Sequence, residues 1–87
     1  MRKLTEQDLA AVIGTTQAGY TIQRARLRGG IYTDSDHYGI ALGHCEKTGL
    51  YVTWQWHLDV NERPDFYWGH YIKCPEKALQ DYASREQ

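Results

Sequence analysis

Four sets of side chains in this 87-residue chain have types and spacings that could do chemistry. His57 and Asp59 are two residues apart, so on an extended strand they leave by one face, and the carboxylate could orient the imidazole as a general base. His44, Cys45, His70 and Cys74 are the residue types that hold zinc. Arg24, Arg26 and Arg28 alternate, so a strand would align them as a basic row able to meet phosphates. Tyr51, Trp54, Trp56, Phe66, Tyr67, Trp68 and Tyr71 are seven of the eleven aromatic rings, and they either build a core or pave a binding surface.

The first three sets are weak. No serine or cysteine nucleophile adjoins His57 and Asp59, no glycine-rich phosphate loop exists, and alternation alone places polar pairs on a wet strand. An enzyme using His57 and Asp59 is therefore the third-ranked reading, and the chain is read as a non-enzyme. His44 and Cys45 are adjacent and point to opposite sides of a strand, and no paired-cysteine spacing occurs. We expect no metal and no cofactor, with Cys45 and Cys74 as free thiols.

Eighty-seven residues make one small domain, here with 41% hydrophobic and 24% charged residues. The net charge of −1 hides an asymmetry. Residues 1–30 carry five basic residues against two acidic ones, and the remainder five against nine. A near-neutral chain lacks the general driving force for nucleic acid, although an arginine patch could act locally. The start of the chain is charged, with no apolar run suited to a signal peptide, and nothing approaches the roughly 20 apolar residues of a membrane span. The expectation is a cytoplasmic protein with no membrane contact.

These side chains need elements to position them. Thr5 as N-cap and Asp8 three residues on predict a capping box, and Leu9, Val12 and Ile13 an apolar stripe, so residues 6–13 read as helix, with Gly14 the left-handed stop. A last helix begins at Pro75, with Ala78, Leu79, Tyr82 and Ala83 on one face. Between them the period changes to two. Leu50–Asp59 reads as a strand with Leu50, Val52, Trp54, Trp56 and Leu58 on a dry face and Thr53, Gln55 and His57 on a wet one.

Tyr38–Cys45 is a second strand. A three-residue loop, Lys47 to Gly49, would set Leu42 opposite Trp54 and Ile40 opposite Trp56. A four-residue loop would instead put Gly39 and Ala41 against the tryptophans and leave Ile40 and Leu42 on the polar side. The three-residue loop is preferred because apolar then meets apolar. Phe66–Lys73 is a third strand, with Phe66, Trp68 and Ile72 inward and Tyr67, Gly69 and Tyr71 outward. Tyr20–Arg28 suits a strand at its start and a helix after Gln23, and Asp34-Ser35-Asp36 reads as a turn.

The fold class is thus α+β, with a helix, about four mainly antiparallel strands and a helix, both helices on one face. The element order resembles that of double-stranded RNA-binding domains, but Pro75-Glu76-Lys77 lacks their lysine cluster at the final helix. On the preferred pairing, Gly39, Ala41 and Gly43 floor a trough on the open sheet face, bordered by Tyr51, Thr53, Gln55, His57, Tyr67 and Tyr71. Tyrosine-rich patches with few aliphatics suit protein interfaces. Replacing Ala41 with Arg should then spare the fold and abolish association.

The phrases Tyr38-Gly39-Ile40-Ala41-Leu42-Gly43, Tyr51-Val52-Thr53-Trp54-Gln55 and Phe66-Tyr67-Trp68-Gly69-His70-Tyr71 resemble small uncharacterised proteins carried on mobile elements and phages of gut bacteria. That resemblance implies an accessory role, inhibition of a bacterial defence enzyme included, and assigns no residue. The sequence reading is a non-enzymatic binding protein whose partner is a protein, a second copy of the chain included. Its alternative is a binder of single-stranded nucleic acid using Arg24, Arg26 and Arg28 and the exposed tyrosines.

Overall fold

The first helix forms where its cap dictates. In the computed structural model, which describes residues 2–29 and 35–86, α1 spans Glu6–Val12. The Thr5 hydroxyl accepts the Asp8 backbone N–H, and the Asp8 carboxylate accepts the Thr5 N–H. Aspartate thus closes the capping box usually closed by Glu or Gln. Arg2 donates to both oxygens of Asp8 at 2.7 and 2.8 Å, and this, with the Thr5 bonds, holds the carboxyl far below its ordinary range. Gly14 at φ +88° ends the element as expected.

Five strands follow: β1 (Thr16–Gln17), β2 (Tyr20–Leu27), β3 (Gly39–His44), β4 (Tyr51–Leu58) and β5 (Pro64–Ile72). They form one antiparallel sheet in sequence order. The fold class is α+β as expected, with one strand more than anticipated, because residues 16–21 fold back as a short hairpin ahead of the rest of β2. Tyr20–Leu27 is strand throughout, so the helical propensity after Gln23 loses to pairing with β3. Ser35–His37 forms a 3₁₀ turn, while Asp34 lies outside the described residues.

The β3–β4 register corrects the preferred pairing. Ala41 faces Trp54 and Gly39 faces Trp56, and the Cys45 N–H donates to Leu50, leaving the four-residue loop Glu46–Gly49. Gly49 adopts φ +75° there, a conformation that costs glycine little. Space decides the register. A Cβ on Gly39 would lie 2.5 Å from the Trp56 indole nitrogen, so the ring lies flat on backbone that only glycine leaves bare.

The two helices lie on opposite faces, not on one. Leu4, Leu9 and Val12, at and around α1, pack with Ile22, Ala41, Val52, Trp54, Trp56 and Leu58. The second helix, α2 (Pro75–Ser84), reaches the other face, where Asp81 and Arg85 meet Thr53. Thr53 and Gln55 are therefore buried, contrary to the expectation of a wet face, because α2 covers them. Ile40 and Leu42 are buried on this side too. The inner face of α2 is also rotated from the expected one. Ala78 and Arg85 are buried and Asp81 and Tyr82 half-buried, whereas Leu79 and Ala83 are exposed.

Candidate functional site

The expected trough does not exist. Gly39, Ala41 and Gly43 are buried and face Trp56, Trp54 and Val52 in the core, while Thr53 and Gln55 lie buried on the opposite side of the sheet. The four-residue loop moved every β3 side chain to the other face. Tyr51 stacks on His44 with centroids 4.4 Å apart. Tyr67 and Tyr71, expected as two walls of one groove, are on opposite faces. Tyr67 pairs with Gln55, whereas Tyr71 pairs with Val52 and leans on Tyr20.

A β-bulge separates those tyrosines. Between the pairs Thr53–His70 and Gln55–Tyr67, the single residue Trp54 of β4 faces two residues of β5, Trp68 and Gly69. Trp68 adopts φ +54°. In bulges of this kind the left-handed position normally belongs to glycine. Here the glycine comes one residue later, because a Cβ at position 69 would lie 2.9 Å from the Trp54 indole nitrogen. Tryptophan therefore carries the left-handed backbone, at a cost of about 1–2 kcal/mol. The bulge turns its side chain out of the core, and Trp68 is 60% exposed, contrary to its expected burial.

The carbonyl of Trp68 accepts a hydrogen bond from the Arg85 guanidinium. Arg85 also donates to the Thr53 carbonyl at 2.7 Å and to its hydroxyl at 3.0 Å. The Thr53 hydroxyl donates onward to Asp81, which accepts from His70 Nδ1 at 2.9 Å when that nitrogen is protonated. Burial works against the Asp81 carboxylate, yet the Thr53 and His70 hydrogen bonds and the Arg85 charge outweigh it and hold its pKa down. Burial pulls Arg85 below its ordinary value, with Asp81 opposing. This network ties β4, β5 and the end of α2 together directly beneath the bulge.

Beside Trp68 runs a line of rings. Tyr67 meets Trp68 edge-on at 5.1 Å, His57 meets Tyr67 at 5.3 Å, and Tyr38 meets His57 at 6.0 Å. Gln55 donates to the Tyr67 hydroxyl at 3.0 Å, and that hydroxyl lies 3.1 Å from His57 Nδ1. With Nδ1 unprotonated, Tyr67 donates to it. Burial raises the Tyr67 pKa, which keeps the phenol protonated for that role.

The proposed catalytic pair is separated in role. Asp59 accepts the backbone N–H groups of Asn61 and Arg63 and shapes the β4–β5 turn, which lowers its pKa. His57 looks instead toward Tyr67 and, at 3.9 Å, Asp65. The arginine row is likewise broken. Arg24 is exposed, but Arg26 donates to the carbonyls of Leu27, Arg28, Tyr82 and Arg85, and Arg28 is buried against the Tyr38 ring. Two of the three guanidiniums thus serve the fold. Among the described residues no group of three or more His, Cys, Asp or Glu side chains could hold a metal ion, and both cysteines are free thiols.

Sequence reasoning missed Trp68 as a surface residue and Arg85 and Asp81 as its support. Gly69 inside an aromatic strand was the available signal for a bulge. Among the described residues no helix is long and apolar enough to cross a membrane. Comparison with protein-family models, curated proteins and solved structures finds no match.

Proposed function

We propose that this chain is a small non-enzymatic binding domain that engages a protein partner through Trp68, with Tyr67 and His57 beside it. One observation carries the reading: an exposed tryptophan holds a left-handed backbone, and its carbonyl is fixed by a buried arginine. Strain of this type persists only where surrounding structure enforces it, and it gathers at functional positions. A rigid, exposed indole suits a protein interface, since tryptophan and tyrosine dominate binding hot spots and lose little entropy on docking. Single-stranded nucleic acid would also stack on such a ring, but Arg26 is spent on backbone carbonyls and Arg28 on Tyr38. The resemblance to mobile-element proteins makes a host defence enzyme the first class of partner to try.

The test is affinity capture from host lysate with three forms: the native chain, Trp68→Ala, and Val60→Asp as a change at a 99% exposed position. The expected result is a protein retained by the native and Val60→Asp forms and lost by Trp68→Ala, with melting temperatures within a few degrees of one another. Solution mass distinguishes a second copy of the chain from a foreign partner. Retention by Trp68→Ala places the contact elsewhere.

A further inference from the structure

Arg85 directly follows α2 and precedes the acidic Glu86, yet it is 6% exposed. Its guanidinium bridges a carbonyl of β4 and a carbonyl of β5 where the bulge interrupts the ladder between them. A carbonyl beside a break in the ladder still needs a donor, and the Arg85 guanidinium donates to both of these. The arginine is itself held from two sides. Its backbone N–H donates to the Asp81 carbonyl, and its own carbonyl accepts from Arg26 of β2 at 2.6 Å.

We propose that the last turn of α2 is a clamp in which Arg85 acts as a positioning residue, holding the β5 bulge and hence Trp68 in the left-handed conformation. The fork of the guanidinium makes the clamp. Nη1 takes Thr53 while Nη2 takes Trp68, so one planar group spans both strands. Lysine at this position would keep the charge and the apolar stem, but its single ammonium does not offer that planar fork. A cation that merely complemented the end of a helix dipole would be replaceable by lysine, and a clamp is not. The inference rests on the binding reading only for what Trp68 touches, because the bulge can be observed with no partner present.

Residue-resolved amide hydrogen exchange on the full chain, native against Arg85→Lys, is the test. We expect exchange at Trp68, Gly69 and His70 to quicken about tenfold or more, while amides of β3 change by less than about twofold. Unchanged exchange at the bulge, or equal quickening through the whole sheet, overturns the clamp. If Arg85→Lys fails to fold, it is combined with Trp68→Gly, since glycine holds a positive φ unaided. Recovery of folding then supports the clamp and continued failure overturns it. Capture of the partner is scored separately. A loosened bulge with capture intact upholds the clamp and removes Trp68 from the contact.

Discussion

The two faces of this sheet are both covered by a helix, and they are held by different physics. The α1 face is dry and aromatic. Trp54 and Trp56 lie across Ala41 and Gly39, and Phe66 tilts against both rings at 5.3 and 5.9 Å. The α2 face is polar at its centre, where Arg85, Thr53, Asp81 and His70 form one chain of hydrogen bonds. The first face is non-directional and gains with area, whereas the second requires particular atoms at particular distances. The aromatic core fixes which bulge position is glycine, since the Trp54 ring leaves no room for a Cβ at position 69. The polar face grips the same bulge through the carbonyl of Trp68, the residue that the bulge displays.

The contrast makes the dry face the larger contributor to stability. Trp56 is fully buried, and Trp56→Ala would remove its ring from above Gly39 with no side chain there to fill the gap. The expected loss is about 3–5 kcal/mol by chemical denaturation, enough to unfold much of a domain this small. A loss below about 1 kcal/mol would show that the core does not depend on that ring. By the same geometry Ala41→Arg places a charge in the core and unfolds the chain, the reverse of the outcome expected from the sequence.

Local signals were legible and long-range ones were not. Thr5 with Asp8, Gly14, Pro75 and the alternation of Leu50–Asp59 each act within a few residues, and the corresponding helices and strand appear where those residues place them. Hairpin register depends on which face is covered. Thr53, Gln55 and His57 look like a wet face, so the sequence alone gives no reason to bury Ile40 and Leu42 beside them. The docking of α2 changes that, together with the room that Gly39 leaves for the Trp56 ring. Arg85 was illegible for the same reason, since nothing in its neighbouring residues marks it as an arginine that folds inward. Trp68 read as core because its neighbours alternate. A bulge breaks parity at one point and reverses every later assignment on the strand, which is how Tyr67 and Tyr71 parted company.

Acid should separate the faces further. The folded pKa of Asp81 lies below its ordinary value of 3.8, so its contribution to stability is complete above that value and is lost as pH falls through the folded one. Asp81→Asn removes a carboxylate that accepts two hydrogen bonds, from Thr53 and His70. The expected cost near neutral pH is about 1.5–3 kcal/mol, less than for Trp56→Ala. In the variant the fall in stability with acid should be shallower but not absent, because Asp8 on the α1 side is depressed in the same sense by Arg2. Denaturation midpoints taken between about pH 2 and pH 7 give both quantities. A native acid limb unchanged by the substitution would mean that Asp81 gains nothing from its partners on folding.

The smallest effect is the sharpest test of how the polar face shapes β5. Trp68→Ala and Trp68→Gly both delete the exposed ring and its edge contact with Tyr67, so their difference isolates the backbone. At φ +54° alanine keeps the steric cost of the left-handed region, and glycine does not. Glycine also starts from a freer unfolded chain, which takes back about 0.5–1 kcal/mol. The balance is a Gly variant more stable than the Ala variant by up to about 1 kcal/mol, opposite in sign to what an ordinary strand position would give. Urea titrations of the two variants in parallel resolve that sign if their slopes agree. An alanine variant that is the more stable would place Trp68 in extended backbone, and with it would go both the bulge and the reason for Arg85 to be buried beneath it.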